Sequence, residues 1–415
     1  MKGRYLYVGA VVVALAISWG LWHPVSVKAA RGLNSPRFVV DPFWPKPLPA
    51  GWVTGEIGGT CVDSNDHVFI YTRGFQTGGL VSPEGVGGAP KSFAAPPVIE
   101  IDQDGNVVNS WGDRSLVATG PNVGKNAVLP NGTHGCFVDS QNNVWLAGNG
   151  DGVVQKYSHD GHFLMQIGTK FLCDNGTPAG GACANIMLTG NSQTLLNLPA
   201  DIAVDPANGD IYIADGYGNH RVVVFHKDGS FKLQMGGVGT GPGQFASGDG
   251  GHPHCVVLGK DGFVYACDRG NDRINVYKKN GTFDHAIPVV PGTNAIGTAG
   301  SAWDVDFSPD RQQTFMYESD GGNEIVWIFD HAAETILSGF GRPGHGAGEF
   351  TFLHMMAVSS RGDLFVGETI GGRRIQKFVR HGDVPQDELK VVTPAGNPNL
   401  RLLHYDPVKN KATDD

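Results

Sequence analysis

The sequence predicts an all-β fold, a six-bladed β-propeller, on three observations. One strand–turn–strand unit recurs six times across residues 38–378. Glycine makes up 61 of the 415 residues while only 17% are charged, which suits short strands joined by tight turns and disfavours long surface helices. Each unit is roughly 50 residues long and built only of strands, and strands this short gain a buried surface by packing face to face around an axis.

Along the chain, Lys2 and Arg4 precede an apolar stretch at 5–21, and Val27 and Ala29 supply small residues for a cleavage site. Residues 1–30 therefore read as a signal peptide or, if uncleaved, an N-terminal membrane anchor, and the protein is expected to be exported, periplasmic or extracellular. Residues 31–380 are assigned to the propeller and 381–415 to a polar C-terminal tail. The six hairpins are CVDSNDHVFIYTRG, CFVDSQNNVWLAGN, IAVDPANGDIYIADG, VVLGKDGFVYACDRG, DVDFSPDRQQTFMYES and MAVSSRGDLFVGE. Each gives an apolar strand, a turn rich in Asp, Asn, Gly or Ser, and a second strand of period two. Third strands follow in most units, as in RVVVFHKDGSF and RINVYKKNGTF. Insertions at 76–97, 112–129 and 168–196 are long for a compact repeat fold and are expected to form one rim of a binding face.

Six cysteines in an exported chain permit disulfides. Cys173 and Cys183 bracket a glycine-rich insertion and are expected to pair. Cys255 and Cys267 lie symmetrically about a turn, bridged or simply packed, whereas Cys61 and Cys136 read as small buried hydrophobes. The net charge of −9, with no basic run, provides no electrostatic footprint for nucleic acid. A small-molecule or peptide substrate and a monomeric state are expected instead.

Aligning the hairpins on their second strand puts Gly58, His134, Ala200, His254, Trp303 and His354 at one equivalent position, where the chain enters the first strand. Neighbouring blades of a six-bladed ring are about 60° apart, so histidines on alternate blades stand about 120° apart around the axis. That is the arrangement of a three-histidine metal site. Neutral imidazoles suit zinc and other divalent first-row metals, and three of them leave a coordination position free for water or substrate. The other histidines, including His252, show no such phase.

The stretch LPADIAVDPANGDIYIADGYGNHRVVVFHKDGSFKLQMG, followed by HPHCVVLGKDGFVYACDRGNDRINVY, resembles the NHL-repeat propeller of the peptidyl-α-hydroxyglycine α-amidating lyases, over about residues 68–378. The resemblance implies that His134 in NGTHGCFVD, His254 in GGHPHCVV and His354 in FTFLHMMAV hold zinc. It also implies catalytic roles for Tyr217 and Arg73: the phenol handles a proton and the guanidinium pairs with the substrate carboxylate. The implied reaction splits an N-linked α-hydroxyglycine, a carbinolamide, into a primary amide and glyoxylate, which would make the protein a carbon–nitrogen lyase. Phe352 and Met355 stand where that family has methionine and a calcium-linked aspartate, which puts a calcium site of that design in doubt, and Gly218 replaces a disulfide cysteine. No copper monooxygenase domain that would make the hydroxyglycine is expected in this sequence, which leaves another α-hydroxy amide or a related small carbinol open as the natural substrate. Two other classes compete. One is a non-catalytic NHL propeller that binds protein or glycan, and the other is a calcium-dependent hydrolase, for which the axial positions offer no carboxylate cluster.

Overall fold

The computed structural model describes residues 32–76, 80, 92–112, 129–173, 190–248, 250–293, 299–385, 403–406 and 411–414. The chain enters through β1 (Ser35–Asp41), then β2 (Trp52–Val53), which pairs in parallel with β5 (Phe93–Ala94). Blade 1 comprises β3 (Ile57–Val62), β4 (Val68–Thr72), β6 (Val98–Ile101) and β7 (Val107–Trp111). Blade 2 comprises β8 (Thr133–Val138), β9 (Val144–Gly148), β10 (Val153–Tyr157) and β11 (Phe163–Ile167). In blade 3 the order is β12 (Asp201–Val204), β13 (Ile211–Asp215), β14 (Arg221–Phe225) and β15 (Phe231–Gly236). Blade 4 follows as β16 (Val256–Leu258), β17 (Phe263–Asp268), β18 (Arg273–Lys278) and β19 (Phe283–Pro288). Blade 5 is β20 (Asp304–Phe307), β21 (Phe315–Asp320), β22 (Ile325–Asp330) and β23 (Thr335–Phe340). Blade 6 is built of β24 (Leu353–Val358), β25 (Leu364–Glu368) and β26 (Ile375–Val384).

Its fourth strand comes from the other end of the chain. β1 pairs antiparallel with β26, Phe38 opposite Arg380 and Val40 opposite Phe378, so the first strand closes the ring. β26 runs across position 380, where the sequence places the end of the propeller. A separate hairpin, β27 (Leu403–Asp406) and β28 (Lys411–Asp414), falls in the tail.

The core is divided among the blade seams. Blades 1 and 2 meet in a cluster around Phe69, Tyr71, Leu146 and Tyr157, and blades 2 and 3 around Trp145, Ile202 and Phe225. The next seams centre on Tyr212 with Tyr277, on Tyr265 with Trp327, and on Tyr317 with Phe378; Ile70 with Phe365 completes the circle. Each large side chain buried there contributes roughly 1.5–3 kcal/mol, and each serves two blades at once. Carboxylates stitch the inner strands together: Asp201 accepts from the Val256 N–H at 3.0 Å, Asp304 from Met356 at 2.9 Å and Asp306 from Val358 at 2.9 Å.

Cysteine chemistry departs in part from the sequence reading. Cys61 and Cys136 are bonded to each other, not merely packed, and their disulfide joins the inner strands of blades 1 and 2. The physical reason is ring geometry, which brings two residues 75 apart in sequence to a Cα separation of 5.5 Å. Cys255 and Cys267 are bridged within blade 4. Cys173 is disulfide-bonded, while Cys183 lies outside the described residues. Most of the three long insertions also lies outside them. Among the described residues, no helix is long and apolar enough to cross a membrane, and the N-terminal segment 1–31 is outside the described residues.

Candidate metal centre

His134 is the second residue of β8, His354 the second of β24, and His254 stands two residues before β16 with its N–H bonded to Cys267 at 2.9 Å. Pairing of β8 with β9 and of β24 with β25 shifts register just there, between Thr133 and Cys136 and between Leu353 and Met356. Such bulges re-aim a side chain that regular pleating would direct elsewhere. Close approach is permitted by glycine: a Cβ on Gly59 would strike the His134 carbonyl of the neighbouring strand.

The three imidazoles meet. Their ring centroids lie 4.8, 4.7 and 4.9 Å apart, and their ligand atoms all fall within 4.8 Å of one another. His134 and His254 are fully buried and His354 is 2% exposed. His134 Nδ1 bonds the Ala200 carbonyl at 2.7 Å and His254 Nδ1 the Trp303 carbonyl at 2.7 Å. These acceptors occupy the same register position one blade further on. The Gly58 carbonyl neighbours His354 in the same way, although His354 Nδ1 completes no hydrogen bond. A carbonyl can only accept, so Nδ1 of His134 and His254 carries the proton and Nε2 keeps its lone pair. His254 Nε2 is buried with no partner at all, which is costly for a polar atom unless something is bound there.

Burial first, then nearby positive charge, holds all three histidines well below their ordinary pKa, so they are neutral and ready to ligate. For His134 and His354 that charge includes Arg73 as well as Arg269.

The Tyr217 hydroxyl stands 3.0 Å from His134 Nε2, and its ring lies edge-on to those of His134 and His254. A Cβ on Gly216 would collide with the Pro253 carbonyl, so glycine there lets the tyrosine loop press against the segment carrying His254. Arg73 is anchored: Nε bonds the Thr133 carbonyl at 2.9 Å, and Nη1 bonds Glu56 at 2.9 Å and Thr369 at 3.0 Å. Its Nη2 donates to no described residue.

Sequence reasoning missed Arg269. It is 4% exposed, lies over the Trp303 ring at 4.3 Å, places Nη2 3.5 Å from the Tyr217 hydroxyl and leaves Nε without a partner. No described carboxylate pairs with it. Burial pushes its pKa down, yet a guanidinium stays charged. The signal was present: Arg269 directly follows β17 as Arg73 directly follows β4, the second strands of opposite blades. Of the residues that differ from the resembled family, Phe352 packs 6.4 Å from the Trp303 ring, and Met355 is buried among the lining of a channel of about 350 Å³. That channel runs along the lower halves of the inner strands, away from the imidazoles, and carries Asp201, Asp304 and Asp306.

An NHL repeat model matches residues 196–225, which span the lead-in to blade 3 and β12 to β14. The chain is 25% identical to NHL repeat-containing protein 3 of Mus musculus over 369 residues, covering 84% of this chain and 85% of that protein. It is 26% identical to peptidyl-glycine alpha-amidating monooxygenase B of Xenopus laevis over 340 residues, which is 76% of this chain and 33% of that protein. A Caenorhabditis elegans protein named a probable peptidyl-alpha-hydroxyglycine alpha-amidating lyase is 26% identical over 43% of this chain and 52% of its own length. Among solved structures, a streptogramin B lyase superposes with a TM-score of 0.47 at 13% identity, covering 84% of this chain and 98% of that one.

Proposed function

We propose that this NHL propeller is a metal-dependent carbon–nitrogen lyase of the amidating type, cleaving an N-linked α-hydroxyglycine, or another α-hydroxy amide, to a primary amide and glyoxylate or its counterpart. The observation that carries the reading is the convergence of three neutral, buried imidazoles, one with an orphaned Nε2, beside a tyrosine hydroxyl and an unpaired buried arginine. His134, His254 and His354 would hold the ion, Zn2+ or another divalent first-row metal, through their lone-pair nitrogens. A metal held there would supply Lewis acidity for the carbinol.

The chain's own groups do the rest. Arg269, with no carboxylate among the described residues to satisfy it, receives the substrate carboxylate together with the free edge of Arg73, whose other nitrogens fix its position. Tyr217 relays the proton: its phenolic O–H donates to the departing amide nitrogen as the phenolic oxygen accepts the proton of the carbinol hydroxyl, so the C–N bond breaks as the C=O bond of glyoxylate forms and the phenol is restored. Trp303 and Phe352 wall the site with apolar surface and limit water. The substrate is a small molecule or peptide taken up by a monomer. We further propose an exported location, periplasmic or extracellular, which the disulfides suit.

The test is glyoxylate release from α-hydroxyhippurate by the purified protein with its metal content measured, beside His254→Ala. Metal-dependent release that vanishes in the variant supports the lyase; no release from metal-loaded protein removes it. Similarity to NHL repeat-containing protein 3, whose name states no activity, favours a second reading, a binding propeller for protein or glycan. A chain that takes up no metal at the axis would support that one.

A further inference from the structure

We infer that Asp63, Glu100 and His159 form a second divalent-cation site, on the face of the propeller opposite the three axial histidines and across the seam between blades 1 and 2. Asp63 opens the turn after β3, five residues beyond Gly58 and so roughly 16 Å further along the strand. Glu100 lies in β6, and His159 comes from the turn between β10 and β11 of the next blade.

The repeat itself exposes the anomaly. Asp139 of blade 2 is the counterpart of Asp63: each donates its backbone N–H across its turn, Asp63 to the His67 carbonyl at 3.0 Å and Asp139 to the Asn143 carbonyl at 2.9 Å. Buried Asp139 is neutralised by Lys156 at 3.0 Å, and the corresponding Asp205 of blade 3 by Lys279 at 2.7 Å. Lys156 pairs across the sheet with Trp145, just as Glu100 pairs with Phe69 in blade 1. At the place where blade 2 carries its compensating lysine, blade 1 therefore carries a second acid. Two carboxyl groups are buried together, Asp63 with 0% and Glu100 with 3% of its side chain exposed.

Both stand beside one nitrogen of the next blade, Glu100 Oε1 while also bonding His67 Nδ1. His159 Nε2 is 3.1 Å from Asp63 Oδ2 and 3.5 Å from Glu100 Oε1, although an imidazole N–H points straight at only one acceptor. The three ligand atoms lie within 4.8 Å of one another. Metal–donor bonds of about 2.0–2.1 Å place tetrahedral donors about 3.3 Å apart, close to the 3.1 and 3.5 Å that separate His159 Nε2 from the two carboxyl groups. The set is also held from behind. Asp63 Oδ1 accepts from the Asn65 and His67 N–H groups, each at 2.8 Å, which turns Oδ2 toward His159. His67 Nδ1 bonds Glu100 Oε1 at 2.6 Å, and Phe69 meets the His159 ring edge-on at 5.1 Å. Outer partners of this kind orient ligands before a metal arrives. His159 is 36% exposed, so water reaches the remaining coordination position. One imidazole with two carboxylates suits Zn2+ or Mn2+, and an ion there would pin two blades together.

The inference stands independently of the axial site and is tested in its absence. Full-length His254→Ala protein is stripped with chelator, reloaded with Zn2+ and gel-filtered, and the metal is counted by mass spectrometry. One equivalent should remain, and should be lost both in His254→Ala/Glu100→Lys, which restores the lysine of blade 2, and in His254→Ala/His159→Ala. Zn2+ should raise the melting temperature of His254→Ala and leave those of the two double variants unchanged. No bound zinc in His254→Ala, or an equivalent that persists in both double variants, overturns the proposal. Should wild type and His254→Ala hold the same single equivalent and Glu100→Lys lose it, the axial reading fails while this one stands.

Discussion

Arg269 sets the charge that the axis can accept. A buried guanidinium with no carboxylate partner among the described residues is an expensive feature, and an anionic ligand would offset that cost. Replacing it with lysine keeps the charge but loses the planar fork, so Arg269→Lys should raise KM for a carboxylate-bearing substrate roughly 10- to 150-fold, the worth of about 1.5–3 kcal/mol in charge-assisted hydrogen bonds. Steady-state kinetics with α-hydroxyhippurate read this directly; an unchanged KM would remove Arg269 from the binding role. Tyr217→Phe should behave differently, lowering kcat by roughly 10²- to 10⁴-fold with little change in KM, because it deletes a proton carrier and leaves the ring packing in place. A third residue-scale expectation concerns Asp306, whose carboxyl is pushed by burial to about 7, well above its unfolded value near 3.8. The folded state then binds the proton more tightly than the unfolded one, so stability from this group is fully present below about pH 4 and is lost as pH rises toward 7. Urea denaturation of wild type and Asp306→Asn at pH 5 and pH 8 checks the sign: the variant should gain relative to wild type at the higher pH.

The inner strands β8 and β24 and the Cys61–Cys136 bridge belong to the scale of elements. The bulges in those strands direct His134 and His354 inward, and the bridge holds β8 against β3. A cross-link spanning 75 residues constrains the unfolded chain more than the one spanning 12 between Cys255 and Cys267. Removing the first with Cys61→Ala/Cys136→Ala should cost about 2–4 kcal/mol, and removing the second with Cys255→Ala/Cys267→Ala should cost roughly 1–2 kcal/mol less than that. Denaturant midpoints of the two double variants, compared at equal slope, decide the order. The second pair sits beside His254, so its loss should also weaken axial metal binding.

At the scale of the whole molecule, the ring is closed by the pairing of β1 with β26. Phe38 packs against Tyr317 and Phe340 at ring separations of 5.5 and 5.2 Å, so the first strand completes the seam between blades 5 and 6. Deleting residues 32–41 should strip blade 6 of its outer strand, lower the melting temperature and expose the Phe340–Phe378 cluster to chymotrypsin. Retention of the wild-type melting temperature would show that the ring stands without its closure.

Much of this protein is written in local pattern. Period-two strands, turn residues and a repeat of fixed length determine the blades, because each is a short-range consequence of backbone geometry and alternate burial. The three histidines were legible for the same reason: a ring of equivalent units converts register in sequence into angle around an axis. Arg269 was equally in register, following its strand as Arg73 follows its own, but a single arginine reads as an ordinary surface charge until its burial and its missing partner are seen. Pairwise facts that cross the ring lay beyond local pattern. Nothing near Cys61 specifies Cys136, nothing in β1 announces β26, and nothing beside Glu100 reveals that a lysine is missing and an imidazole from the next blade takes its place. Those contacts join residues far apart in sequence, so only closure of the ring decided them.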